Sequence, residues 1–403
     1  MRSDKQKFLY LDYKILLPYL ILCVVGIVMV YSASSDILLV NGFSPTVYGV
    51  KQFIYFIIAV IFLGYPAFNT KMKKIRSWGF IMSYLGLSVF LLLILLAMKI
   101  IGGARFAVNG AVGWINLGFV SIQPLEIAKL ALILYLAKIL DKRANRLVAG
   151  NIWHSLSNPT IIAFAIMALV IVEPDFGGTA ILFMIVMVLY AVSGIRAGLV
   201  LTWMFILLGL VIGFVSLIII WNPKFLQNSY QFQRLLAFAH PFQLEKTSGA
   251  QLVNSYYAIH NGGLFGVGLG NSMQKRGYLP EPYTDFIMSI ISEELGSIGA
   301  CLILGLLFYL MWRIMEVGVH AQSQFNALVC FGVTTIIFTE TLFNIGAVIG
   351  LLPITGVTLP FISYGGSSMF VLTAGVGLVL NISAEEKRTI MMERSVQWVI
   401  IRI

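Results

Sequence analysis

An all-α integral membrane protein of ten transmembrane helices, with a large extracellular loop between helices 7 and 8 and cytoplasmic N- and C-termini, is the fold class that the sequence predicts. Three observations carry it. Of the 403 residues 59% are hydrophobic and only 11% charged, with a mean hydropathy of +0.92, more apolar than a water-soluble core requires. Apolar runs recur with lengths of about 20 residues, the length of helix that crosses roughly 30 Å of hydrocarbon. The runs are continuously apolar rather than alternating, so helices that satisfy their own backbone in lipid are expected and a β-barrel is not. A single polytopic domain covers 1–403, because the bilayer replaces water as solvent and the helices form one bundle.

The elements follow in chain order. Residues 1–14 are a basic cytoplasmic start, and the run after them is too long for a signal h-region and lacks a small-residue cleavage site, so the first span, 15–34, is expected to remain. Spans at 52–68 and 78–98 flank the basic segment KMKKIR. The fourth, 124–140, opens on Pro124 and carries Glu126 and Lys129, three apart and therefore on one helix face. Spans at 159–173 and 178–194 surround "VEPDFGG", where Glu173 and Asp175 read equally as helix caps or as interfacial acids. After 199–221 comes the loop 222–285, too long to be idle in a compact fold. Within it, Gln251 to His260 is expected to form an amphipathic helix lying in the outer interface. The spans 286–311, 324–350 and 361–383 complete the bundle, and 384–403 is a cytoplasmic tail.

Orientation follows from Lys and Arg. With the N-terminus inside, cytoplasmic segments hold 18 of them and outer segments 8, the asymmetry of a positive-inside protein. The net charge of +10 thus anchors the inner leaflet, and no nucleic-acid partner is expected. Cys23, Cys301 and Cys330 fall inside apolar spans and read as packing residues. His154, His240, His260 and His320 have no ligand spacing, and no G-x-S-x-G is present, so metal-hydrolase and serine-hydrolase readings fail.

Several motifs carry chemistry. Glu126, Lys129, Glu293, Glu294 and Glu340 are costly at membrane depth unless paired or hydrated, and they line a cavity or form ion pairs that fix helix register. The run "GGLFGVGLG" follows no strand and is not followed by GK[ST], which excludes a nucleotide loop. It is either a glycine surface for close backbone approach or a set of N–H donors for a diphosphate. In "LPEPYTDFI", Glu281 and Asp285 stand at the start of the eighth span, where a helix N-terminus favours the anion. There Thr284 or Asp285 can be an N-cap, Asp285 can be a general base, and the two roles can coexist.

"NGAVGWINLG", "QPLEIAK", "EPDFGG", "GLGNSMQKRGYLPEPYTDFI", "EELG" and "PITGVTLPFISYGGSS" together resemble the SEDS family (shape, elongation, division, sporulation) of bacterial cell-wall polymerases, over nearly the whole chain. "LGNS" ahead of "QK" and the LPE run is closer to the division branch than to the elongation branch. The resemblance implies a peptidoglycan glycosyltransferase that polymerises lipid II at the outer face of the membrane, enriched at the division septum. It implies Asp285 as the catalytic residue. Arg234, Lys275, Arg276, Glu281 and Arg105 would bind the diphosphate and sugars, and Glu126, Lys129, Glu293 and Glu294 would serve the cavity. A divalent cation, Mg or Mn, held partly by Asp285, is compatible with that chemistry, and no organic cofactor is implied. The partner implied is a class B penicillin-binding transpeptidase, a single-pass protein whose helix would seat near Gly299, Gly305 and Ala327, alongside other division proteins. The chain departs from the family pattern at Gly113, Leu125 and Asn254. A lipid flippase and a non-catalytic division scaffold remain as alternatives from the residues themselves.

Overall fold

The computed structural model describes residues 7–102, 112–118, 121–150, 152–221, 223 and 229–400. Within them the regular structure is helical apart from one short hairpin. The helices are α1 (Tyr13–Val40), α2 (Val47–Asn69), α3 (Trp78–Gly102), α4 (Pro124–Val148), α5 (Ile152–Val172), α6 (Phe176–Val192) and α7 (Ala197–Trp221). Two shorter helices, α8 (Tyr230–Ala239) and α9 (Ala250–Gly262), occupy the long connection, and α10 (Ile287–Val319), α11 (Gln324–Val348) and α12 (Gly366–Ile400) follow. Among the described residues, eight helices are long and apolar enough to cross a membrane. α6 is apolar but shorter, and α4 carries Glu126, Lys129, Lys138 and Asp141.

Local chemistry sets several boundaries. Asp12 caps α1 by accepting from the Lys14 N–H at 3.1 Å, and Asp175 caps α6 by accepting from Gly178 N–H at 2.7 Å. Pro124 opens α4, where its missing N–H costs nothing. The antiparallel strands β1 (Ile115–Asn116) and β2 (Ser121–Ile122) pair Ile115 with Ile122 just ahead of α4. α12 begins at Gly366, five residues later than the predicted span, because Leu359 to Ser363 form a turn with Phe361 at φ +64°.

α10 departs most from expectation. It runs on to Val319 and is broken at Gly296, whose φ of 72° and ψ of 178° no helix contains. The glycine run fills the break: Val267 N–H donates to Glu293 O at 2.9 Å, Gly268 N–H to Glu294 O at 3.0 Å, and Ser297 N–H to Gly263 O at 2.9 Å. A Cβ on Gly296 would stand 2.3 Å from Leu264 O, so only glycine admits this approach. The run is therefore the close-packed surface of the two readings, with these N–H groups already committed.

α9 is helical as expected, and it packs against α10 and α11. Leu252, Val253, Ser255 and Ala258 are buried, and the Ser255 hydroxyl donates to Val348 O at 2.7 Å. α11 and α12 are the most enclosed of the candidate spans, while α7 faces outward along its length. Cys23 and Cys330 pack in the core as expected, whereas Cys301 is exposed on α10.

Asp12 ties the two ends of the helical array together. Its carboxylate accepts from the Lys387 ammonium at 2.8 Å and the Ser383 hydroxyl at 3.0 Å, both on α12, and lies 3.6 Å from Arg313 of α10. Burial raises this carboxyl, but Lys387, Ser383 and Arg313 more than offset it and hold Asp12 below the usual range.

Candidate active site

Leu279 is fully buried and anchors the segment that leads to α10. Glu281 then adopts φ +53° in an exposed turn, held by the Thr284 hydroxyl, which lies 3.2 Å from Glu281 O and 3.3 Å from its carboxylate. The residue that caps α10 is Phe286, with no side-chain hydrogen bond. Neither Thr284 nor Asp285 performs the capping considered from sequence, because the turn ends one residue later than the pattern suggested.

Three neighbours fix the backbone of residues 283–285. Asn344 of α11 donates to Asp285 O at 2.8 Å and to Val357 O at 2.9 Å. The Ser363 hydroxyl donates to Thr284 O at 2.7 Å, and Tyr364 N–H donates to Tyr283 O at 2.9 Å. The loop between α11 and α12 is thereby stitched to the segment that bears the carboxylate.

Arg234, on α8, supplies the facing cation. Its guanidinium lies 4.5 Å from the Tyr230 ring centroid, donates to the Tyr230 hydroxyl at 2.6 Å, and donates to Ile354 O at 3.2 Å. Gly356, at φ +77°, separates it from Asp285: an added Cβ would lie 3.5 Å from Arg234 Nη1 and 3.5 Å from Asp285 Oδ2. No ion pair joins Arg234 and Asp285 among the described residues. The two charged groups thus meet on either side of a glycine that intrudes no side chain.

Burial pushes the Asp285 carboxyl up to about 6; Arg234 pulls it down and Glu281 pushes it further up. The expected stabilisation of the anion by the helix N-terminus is outweighed. At neutral pH the group is ionised and far more basic than an ordinary aspartate, the combination that a general base needs.

The structure disperses the rest of the expected basic cluster. Lys275 is buried and spent on an ion pair: its ammonium lies 3.0 Å from Glu294, whose carboxylate also accepts from Ser32 of α1 at 2.7 and 2.6 Å. It is a structural cation, not a free ligand for a diphosphate. Arg276 is exposed and lies 3.5 Å from Asp36, near the end of α1. Arg105 falls outside the described residues. Glu293 is enclosed by the loop: it accepts from the Ser272 hydroxyl, from Met273 N–H at 3.2 Å and from Gln274 N–H at 3.3 Å, and so shapes it.

Glu126 and Lys129 pair at 2.7 Å, and Lys129 also reaches Glu340 of α11. Buried Glu126 Oε2 and Glu340 Oε2 have no hydrogen-bond partner among the described residues, so the triad keeps unused acceptor capacity there. Asp175 lies close enough to Lys129, Glu126 and Arg234 for their charges to act on it, which links the triad to the Arg234 side of the site. Sequence reasoning missed Gly356 and Asn344. The one signal for Asn344 is an amide inside an otherwise apolar run.

Among the described residues no three of His, Cys, Asp and Glu converge to hold a metal. A magnesium ion that keeps its waters and shares a substrate's phosphate needs only one or two carboxylates. Asp285 fits that shared ion, and the residues do not fit a cage built from protein alone.

Three comparisons bear on the chain as a whole. A family model described as "Cell cycle protein", covering FtsW, RodA and SpoVE, matches residues 13–388. The chain is similar to the probable peptidoglycan glycosyltransferase FtsW of Enterococcus hirae, 40% identical over 93% of this chain and 93% of that protein. It is also similar to the protein of the same name from Lactococcus lactis, 37% identical over 98% and 97%. Among solved structures it resembles a chain from a study of the structural coordination of polymerization and crosslinking by a peptidoglycan synthase complex. The TM-score is 0.72, with 26% identity over 93% of this chain and 98% of the other.

Proposed function

We infer the function from one premise: the chain belongs to the family of cell cycle proteins that includes FtsW, RodA and SpoVE. It is a peptidoglycan glycosyltransferase of the FtsW type, a multi-pass membrane enzyme of cell division. The observation in this chain that carries the activity is the Asp285 carboxylate facing the Arg234 guanidinium across Gly356.

The substrate we propose is lipid II. A sugar hydroxyl of one molecule attacks the anomeric carbon of another, the new C–O bond forms as the bond to the lipid diphosphate breaks, and the diphosphate leaves as an anion. Asp285 accepts the hydroxyl proton. Arg234, held by Tyr230 and Ile354 O, meets the charge that develops on the leaving oxygens. A divalent ion shared between Asp285 and the diphosphate would add electrostatic stabilisation of the same charge. Because a diphosphate leaves unprotonated, one carboxylate suffices where glycosidases use two.

Ten spans with cytoplasmic termini put 222–285 and Asp285 at the outer face, a placement supported by the division of Lys and Arg, 18 inside against 8 outside. Septal enrichment is part of the same proposal. The partner is a class B transpeptidase whose single helix lies along α10. There Ile298, Leu302, Tyr309 and Trp312 are exposed at coiled-coil spacing, with nothing within 4 Å of a Cβ on Gly305. Gly299, by contrast, abuts Leu295 of its own helix.

Purified protein in vesicles, given lipid II from outside, should yield glycan polymer. Lipid crossing without polymer would make it a flippase, and partner binding with neither activity would make it a scaffold.

A further inference from the structure

Four tyrosines from three segments converge beside Asp285. Tyr48 and Tyr55 come from α2, Tyr283 from the segment before α10, and Tyr364 from the loop before α12. The Tyr48 ring stacks on Tyr364 with centroids 4.8 Å apart, and it lies 4.8 Å from Tyr283. Tyr283 meets Tyr364 edge to face at 5.9 Å, and Tyr55 backs Tyr364 at 6.1 Å.

This is not a core cluster. Tyr48, Tyr283 and Tyr364 are each only partly buried, and phenylalanine would fill the space without phenol groups to satisfy. The polar tip of Tyr283 lies within electrostatic reach of Tyr48 and Glu281. Glu281 acts on both sides, because its charge is also felt by Asp285, and it holds a left-handed backbone, φ +53°, that a residue with a side chain adopts at a cost. α2 is pinned to the same loop by Gln52, which donates to Ser363 O at 3.1 Å and accepts from Gly365 N–H at 3.4 Å. The exposed Lys51 ammonium lies 5.8 Å from the Tyr48 ring centroid.

A pyranose ring has one face of C–H bonds and a rim of hydroxyls. Tyrosine matches both, with an apolar ring face and a polar tip, and it loses little rotamer freedom on binding. We propose that Tyr48, Tyr283 and Tyr364 form a saccharide platform that seats a pyranose ring of the substrate beside Asp285, with Glu281 bonding its hydroxyls and Lys51 pairing an anionic substituent. The platform rests on the glycosyltransferase reading for its place in catalysis, but binding of a sugar to it does not.

Chitotetraose, a soluble β-linked N-acetylglucosamine oligomer, is the probe. Titrated calorimetrically into the full-length protein in nanodiscs, it should bind, and Tyr48→Leu and Tyr364→Leu should each weaken binding at least ten-fold. Tyr48→Phe and Tyr364→Phe, which keep the ring face and lose only the polar tip, should weaken binding by clearly less than the leucine variants. In polymerisation assays the leucine variants should raise KM for lipid II by a similar factor and leave kcat within about three-fold. Should the leucine variants fold poorly, hydroxyl-radical labelling of the unaltered protein decides the matter: chitotetraose should protect Tyr48, Tyr283 and Tyr364. No binding by the unaltered protein, equal binding by the leucine variants, or absent protection overturns the platform. Chitotetraose binding at the tyrosines without polymer formation would instead keep the platform and remove the enzymatic reading.

Discussion

Asp285 separates catalysis from architecture because its carboxylate makes no helix cap, while its backbone carbonyl makes the structural bond to Asn344. Asp285→Asn keeps the shape and that bond and removes the base. We expect polymerisation to fall by roughly 10²–10⁴-fold. Because the folded state raises this carboxyl to about 6, its ionised form opposes folding above that pH, so the Asn variant should melt at the same temperature or higher at pH 7.5. A lower melting temperature would return Asp285 to a structural role. The same raised value predicts an acid limb in the pH dependence of kcat/KM with a midpoint near 6, shifted upward when Arg234→Gln removes the opposing charge. The position of Asp285 ahead of α10 was legible because its motif sits at the mouth of an apolar run, whereas its role as the base is what the family resemblance implies. Lys275 was misread for an equally physical reason. Its charge is cancelled by Glu294, 19 residues on, and its ammonium also donates to the Ser32 hydroxyl of α1, 243 residues away, and no local pattern reveals that a surface-looking lysine is enclosed.

At the scale of elements, long helices were readable from apolar periodicity, and the breaks in them were not. Ile287 to Val319 reads as one apolar helix, yet Gly296 interrupts it because the 263–268 strand of backbone takes over the hydrogen bonds. That exchange depends on residues distant in the chain and on three glycines that allow the approach. Gly296→Ala combines a left-handed φ with a clash at 2.3 Å, and positive φ alone costs of order 1–3 kcal/mol. The variant should melt at least several degrees lower and lose ordered packing of the glycine run, read as faster hydrogen exchange across 262–270. Lys275→Met leaves Glu294 buried without its cation and should destabilise by about 3–5 kcal/mol. Lys275→Met with Glu294→Gln should recover most of that loss, whereas additive losses would show that the lysine acts elsewhere.

For the whole molecule, composition and charge asymmetry made a polytopic helical bundle legible, and they left its centre unmarked. α12, one of the most enclosed of the candidate spans, reads in sequence like any other apolar run. The exposed Cys301 gives a native handle on the face of α10 proposed to seat the partner. A cysteine in the membrane helix of a class B transpeptidase should crosslink to it, and loss of the adduct in Leu302→Arg would support the placement. A fluorescent fusion should concentrate at the septum, while a uniform sidewall pattern would move the chain to an elongation role. The carboxylate of Asp12 extends the argument to biogenesis. It leaves the ribosome at the head of the first helix, but Ser383 and Lys387 emerge only after almost everything else has been translated. Until then this acid holds only the Lys14 N–H and, once α10 is made, Arg313; the arrival of the final helix supplies Ser383 and Lys387 and closes the bundle like a clasp. Quality control can therefore read completion at one spot: a chain truncated after Asn381 should insert and then be degraded, whereas Asp12→Asn should blunt that distinction between finished and unfinished protein.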